Sequence, residues 1–149
     1  MSDNIVHATL VDIEGHGVLL RGKSSSGKSD LALRLIANKK AVLVADDIVA
    51  LSIKNSLLTG SCYNTIKGLL EVRGIGVIKY PYIEQTSVEL IVHLTDNLEQ
   101  VERMPKKQYE NILGLEIPQI DLYAKENSAP DKVVTALKVL VTKELELKE

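Results

Sequence analysis

The sequence predicts an α/β fold: a phosphate-binding loop between a buried strand and a helix, set in a mixed, largely antiparallel sheet with few helices. Three observations lead there. Residues 22–29 read Gly-Lys-Ser-Ser-Ser-Gly-Lys-Ser and fit the pattern G-x-x-x-x-G-K-[ST] at every fixed position. Before them stands the short, branched, apolar run His-Gly-Val-Leu-Leu-Arg at 16–21, and after them residues 29–38 carry Leu31 and Leu35, with Leu33 and Ile36 nearby, at helical spacing. From Ile48 onward strand-like runs dominate, at 48–53, 57–62, 69–72, 76–80 and 87–94, and only one further helix follows.

Taken in order, residues 6–13 alternate as a half-buried strand, Glu14-Gly15 turns, and residues 16–21 return, so the chain opens as a hairpin. With a two-residue turn, position 13 faces 16, and counting back sets His7 opposite Gly22 at the mouth of the loop. His16 and His93 have no such placement and read as packing or surface. In the loop, Gly22 and Gly27 allow the backbone amides of Lys23, Ser24, Ser25 and Ser26 to converge on an anion. The helix dipole contributes only about 0.3–1 kcal/mol at an exposed end. Holding a triphosphate therefore also needs the point charge of Lys28 and a Mg2+ ion bound by the Ser29 hydroxyl. An ordinary Gly/Ser turn is the bland alternative, and the strand, loop, helix order counts against it.

The next strand, Val42-Leu-Val-Ala-Asp46-Asp47, ends in two carboxylates. A right-handed crossover makes it parallel to the strand feeding the loop, so both emerge at one edge. Successive residues of a strand face opposite sides; one acid addresses a metal while its neighbour faces a hydroxyl-bearing substrate. Residues 69–78 read Leu-Leu-Glu-Val-Arg-Gly-Ile-Gly-Val-Ile. Glu71 and Arg73 would share a strand face, a carboxylate for metal and a guanidinium for phosphate, with Gly74 and Gly76 permitting close backbone approach. An exposed ion pair beside a bulge fits this segment equally well. The last helix is expected from about residue 130 to 146, with Ser128 as cap, Pro130 in its first turn and Val133, Val134, Leu137, Leu140 and Val141 as its apolar stripe. An enzyme of the adenylate kinase type or a GTPase would keep alternating strand and helix, and the base-reading Asn-Lys-x-Asp fails at Asn38-Lys39-Lys40-Ala41.

A chain of 149 residues is one domain by size. Net charge of −2, five Tyr and neither Phe nor Trp leave no basic face or stacking platform for nucleic acid. Lys39-Lys40 and Lys106-Lys107 read as solvated surface. The single cysteine, Cys62, excludes an internal disulfide and a cysteine zinc cluster, which suits a reducing cytoplasm. The opening Met-Ser-Asp-Asn lacks the basic region of a signal peptide, and no apolar run reaches membrane length.

Together these residues resemble the catalytic domain of the HPr kinase/phosphorylase family, bacterial protein-serine kinases with a P-loop core of the HPr kinase / PEP carboxykinase-like type. The likeness is carried by His7-Ala-Thr-Leu-Val-Asp-Ile, the loop through Ser29-Asp30, Val44-Ala-Asp-Asp47 and Leu70-Glu-Val-Arg-Gly-Ile-Gly-Val77. It spans nearly the whole chain, strongly to about Leu94. Members commonly carry an additional N-terminal domain; with His7 almost at the start, this sequence resembles the short form consisting of residues 1–149 as one catalytic domain. The resemblance implies ATP and Mg2+ as cofactors, HPr as the substrate protein, a cytoplasmic location, no nucleic acid, no membrane and a homo-oligomer, usually a hexamer. It implies that Lys28 holds donor phosphates with the loop, Arg73 and Gly74 beside them, and that Ser29 and Glu71 serve Mg2+. His7, Asp46 and Asp47 would line the transfer site, with Asp47 as general base and Asp46 as the alternative, and Arg103 resembles a catalytic arginine of the family.

One departure bears on the activity. Members that also remove the phosphate carry a loop of the kind Pro-Val-[Lys/Arg]-x-Gly-Arg-Asn before the last helix, where this chain reads Tyr123-Ala-Lys-Glu-Asn-Ser-Ala129. The missing glycine and arginine count against phosphorolysis and leave the kinase reaction. Two other readings stand beside it: a kinase of the same fold acting on another protein or a small hydroxylated metabolite, and a nucleotide sensor without transfer. The intact acids count against the sensor.

Overall fold

A computed structural model describes residues 4–148; Met1, Ser2 and Asp3, read above for the lack of a basic leader, lie outside them. The elements in chain order are β1 (Asn4–His7), β2 (Thr9–Ile13), β3 (His16–Arg21), α1 (Lys28–Asn38), β4 (Ala41–Ala45), β5 (Ile48–Lys54) and β6 (Leu57–Cys62). They continue with β7 (Leu69–Val72), β8 (Gly76–Lys79), β9 (Gln85–Thr95), a 3-10 turn at Leu98–Gln100, β10 (Gln108–Ile112), β11 (Leu115–Tyr123) and α2 (Ala129–Leu140). The main sheet runs β1-β5-β6-β9-β3-β2-β4, with β11 also on β9 and β10 on β11; β7 and β8 form a separate hairpin. Parallel and antiparallel pairs mix, as expected.

The apolar run of β3 is explained by cover on both faces. Val18, Leu19 and Leu20 are all 0 % exposed, which a strand with one wet face would not require. Val18 and Leu20 belong to a core with Leu31 and Leu35 of α1, Leu70 of β7 and Val133 and Leu137 of α2. Leu19 belongs to a second core with Leu10, Val49, Leu51, Leu58 and Ile91, where the β5–β6 hairpin covers the other face. Each fully buried Leu contributes about 1.5–3 kcal/mol. Helix α1, eleven residues long, would be marginal alone, so this packing rather than propensity holds it.

The topology brings two strand ends to one place. Strand β4 is antiparallel to β2, and β2 is antiparallel to β3, so β4 runs parallel to β3 with β2 between them. Their carboxyl ends, leading to Asp46 and to the loop, leave the same edge.

Four expectations need correction. The opening hairpin keeps the expected register, Ile13 opposite His16 and Thr9 opposite Leu20, but its first strand breaks at Ala8. Strand β3 ends at Arg21, so the chain before Ala8 has no partner there; it crosses to β5, and His7 pairs with Ile48 rather than Gly22. Arg73 does not share a strand face with Glu71, because β7 ends at Val72 and Arg73 opens the turn to β8. Helix α2 stops at Leu140, where the Thr142 amide donates back to the Leu137 carbonyl at 2.9 Å and Lys143 takes a positive φ of 63°. Strands β10 and β11 have no counterpart in the sequence patterns; their faces are only half-buried, so alternation is weak, and Pro118 interrupts it.

Candidate functional site

The loop leaves β3 at Gly22 and enters α1 at Lys28. Its two glycines are demanded by crowding as well as conformation. A Cβ on Gly22, at φ 153°, would stand 2.5 Å from Ser26 Oγ and 2.8 Å from the Leu94 carbonyl oxygen; one on Gly27, at φ 100°, would stand 3.0 Å from the Ala124 Cβ. The loop is thus wedged against the ends of β9 and β11. Lys23, Ser24 and Ser25 are exposed, while Ser26 is turned inward, 5 % exposed, with its hydroxyl unpartnered among the described residues. The Lys28 ammonium donates to the Gly22 carbonyl at 2.8 Å and the Lys23 carbonyl at 2.9 Å. It bridges the loop's ends from inside, and the first turn of α1 supplies the dipole's positive end beside it.

The two aspartates are divided by the bend that follows β4. Asp46 faces inward: its carboxylate accepts from Ser29 Oγ at 2.9 and 3.2 Å, from Thr9 Oγ1 at 2.8 Å and from the Glu71 amide at 3.4 Å. Asp47 is exposed, takes a left-handed φ of 77°, and its carboxylate accepts no hydrogen bond among the described residues. Aspartate is among the few residues that tolerate this conformation, and such backbone outliers gather at functional sites. The Asp47 carbonyl accepts the Ala8 amide at 3.0 Å, so the break after His7 is what seats His7 next to this acid along the chain edge.

Of the remaining expected residues, Glu71 reaches the site through its backbone while its side chain is exposed. Arg73 and Gly74 lie in the open turn from β7 to β8. Arg103 is exposed between the 3-10 turn and β10, and it makes no ion pair among the described residues. Hydrogen bonds thus link Lys28 to Gly22 and Asp46 to Ser29 and the Glu71 amide, Asp47 follows Asp46 in the chain, and Arg103 makes no hydrogen bond to any of them. Two surface recesses, of about 350 and 330 Å³, are lined by none of these residues.

A divalent ion suits the donor set. A serine hydroxyl and an aspartate carboxylate within 2.9 Å of each other are hard oxygen ligands of the sort Mg2+ takes, usually only one or two from protein with the rest from phosphates and water. Among the described residues no three Asp, Glu, His or Cys side chains cluster closely enough to hold a metal by themselves.

Thr9 and Arg34 are the participants that the residue patterns alone did not single out. Thr9 is 0 % exposed. The pairing of Leu10 with Ala45 carries its hydroxyl to Asp46, so a polar residue in an apolar strand was the available signal. Arg34 pairs with Asp30 at 3.1 Å and donates to the Ala124 carbonyl and, at 3.2 Å, to the Glu126 carbonyl; only the i,i+4 pair is visible in sequence. A third cluster lies beside the loop. Arg21 meets Glu110 at 2.5 Å and His93 meets it at 3.2 Å. Burial would raise the Glu110 carboxyl, but the hydrogen bonds from Arg21 and His93 outweigh it and hold the group below its usual range.

A wedged phosphate loop, a hydroxyl beside a strand-end carboxylate and a second, uncommitted acid define a phosphate-loop protein with a mixed sheet. The profile described as HPr Serine kinase C-terminal domain matches residues 1–145, and the chain belongs to that family. It is 41 % identical to a protein named HPr kinase/phosphorylase from Bordetella pertussis, over 78 % of this chain and 41 % of that protein. It is 38 % identical to one of the same name from Leptothrix cholodnii, over 76 % and 38 %. The chain therefore spans about two-fifths of the length of these curated relatives. The solved structure of the Hpr(Ser) kinase/phosphatase from Coxiella burnetii matches with a TM-score of 0.80 at 29 % identity, over 91 % of this chain and 88 % of that one. The expected fold class and family are both borne out.

Proposed function

We propose that residues 1–149 act as one catalytic domain that transfers the γ-phosphate of ATP to a serine of the phosphocarrier protein HPr. The observation that carries this is the division of labour between neighbouring acids: Asp46 engaged by Ser29, Thr9 and the Glu71 amide, and Asp47 exposed and free of hydrogen bonds among the described residues. Support also comes from the names of the relatives, HPr kinase/phosphorylase.

In this reading the loop amides of residues 22–27 and Lys28 hold the donor phosphates, with Arg73 and Gly74 at their outer side. Ser29 and Asp46 would hold Mg2+, with Glu71 beside them; bound there, the ion offsets phosphate charge. Asp47 accepts the proton of the serine hydroxyl as its oxygen bonds to the γ-phosphorus and the bond to the ADP oxygen breaks. His7 orients Asp47 or a phosphate, and Arg103 comes to the transferring group from the loop after β9 when substrates bind. A sensor would need the loop but not the free acid. Because residues 123–129 lack the glycine and arginine of a phosphorolytic loop, the domain runs forward as a kinase. We assign it to the cytoplasm as a homo-oligomer, with the hexamer as the expected form and neither nucleic acid nor membrane as partner. No helix of the described residues is long and apolar enough to cross a membrane.

Purified protein incubated with ATP, Mg2+ and HPr is expected to yield phosphoserine on HPr. Bound nucleotide with no transfer to HPr would overturn the assignment of the acceptor.

A further inference from the structure

The ends of three parallel strands meet at the loop. Strand β9 runs parallel to β3, and β11 runs parallel to β9, so their carboxyl ends leave the sheet at the edge where residues 22–29 begin. In open α/β sheets ligands lie across such ends, and phosphates occupy only part of that width. The need for a further wall rests on the proposed donor, a nucleoside triphosphate, because only such a donor brings a nucleoside to be seated beyond its phosphates.

The segment after β11 is built as one. Residues 124–128 form turns between β11 and α2, and Ala124 is the residue against which Gly27 is wedged. Two of the segment's carbonyls, those of Ala124 and Glu126, accept from the Arg34 guanidinium. The Glu126 carboxylate is taken by Lys132 at 2.5 Å, and the Ala129 amide donates to the Glu126 carbonyl at 3.1 Å. With its carbonyls committed inward, the segment leaves Lys125 and Asn127 exposed. A planar guanidinium can fix two carbonyls at once where an ammonium fixes them less rigidly. Asp30, at 3.1 Å, holds that guanidinium from the first turn of α1, so the segment and the phosphate loop are tied to the same helix.

We propose that residues 124–128, fastened to α1 by Arg34, form the wall against which the nucleoside of the donor lies, and that Arg34 is a positioning residue for that half of the donor alone. A donor stripped of its nucleoside should not feel the wall. The probes are Mg2+-ATP and Mg2+-tripolyphosphate, with binding of each measured to the whole chain.

Arg34→Ala is expected to weaken ATP roughly tenfold, the scale of ordering one short loop, and to leave tripolyphosphate within about twofold. Arg34→Lys should recover part of the ATP loss. Asn127→Ala, on an exposed position that folding does not depend on, should repeat the selective loss if Arg34→Ala fails to fold. Equal loss of both probes in Arg34→Ala would mean a merely structural role and overturns the proposal. Unchanged ATP affinity in both Arg34→Lys and Asn127→Ala overturns it as well. Wild-type protein that binds neither probe contradicts the donor reading itself, a failure distinct from either.

Discussion

At Gly22 and Gly27 the backbone is pressed onto its neighbours, whereas at Gly74 and Gly76, in the β7–β8 turn, nothing stands within 4 Å of where a Cβ would be. The first pair keeps the loop in shape by packing it between the ends of β9 and β11. The second pair needs glycine only for its positive φ values, 91° and 133°. The hairpin's inner side is anchored, with Leu70 buried, yet Ile75 and Val77 are 76 % and 65 % exposed. One region is therefore preorganised and closed by its own chain, and the other is left open beside it. In the proposed reaction the donor meets the rigid half.

Glycine-to-alanine changes break this contrast most directly. Gly22→Ala must push aside both a side chain and a carbonyl of β9, and is expected to cost roughly 2–4 kcal/mol, the sum of overpacking and backbone strain. Nucleotide binding should be lost with it, as read by thermal melting and by titration with Mg2+-ATP. Gly74→Ala adds a methyl to open space and should cost only about 1 kcal/mol of stability, from its positive φ. Equal losses from the two would erase the distinction between packed and open turns.

A smaller effect sharpens the same contrast from the flank of the loop. Glu110 joins Arg21, the residue before Gly22, to His93, and its carboxyl is held below the ordinary value of 4.5. A lowered folded value means that its stabilisation is present above the unfolded pKa and lost as pH falls through the folded one. Glu110→Gln should therefore be less stable than the parent near neutrality, and the gap should close in acid. Melting curves across pH check this; a gap that persists in acid would assign the loss to packing.

The sequence revealed the donor half more fully than the rest, for physical reasons. The loop, its strand and its helix are local patterns, so Gly22, Lys28 and Ser29 could be read directly. The strand-end acids followed from one rule of chain crossing. The hairpin register misplaces His7, because its partner depends on where β3 stops and on an edge that β5 offers 41 residues later, at Ile48. Arg34 touches carbonyls 90 and 92 residues away, and no periodicity reports such a contact. Strands β10 and β11 are not legible in the sequence because half-wet faces blur the alternation that reveals a strand.

The division between Asp46 and Asp47 is the centre of the account, and one comparison tests it. Phosphoserine formation on HPr and Mg2+-ATP affinity are measured for Asp47→Asn beside the parent protein and Asp46→Asn. Loss of the proposed general base should slow transfer by about 10²–10⁴-fold in Asp47→Asn while its Mg2+-ATP affinity stays at the parent value, and Asp46→Asn should weaken that affinity. Transfer that survives in Asp47→Asn but vanishes in Asp46→Asn at unchanged Mg2+-ATP affinity would contradict it.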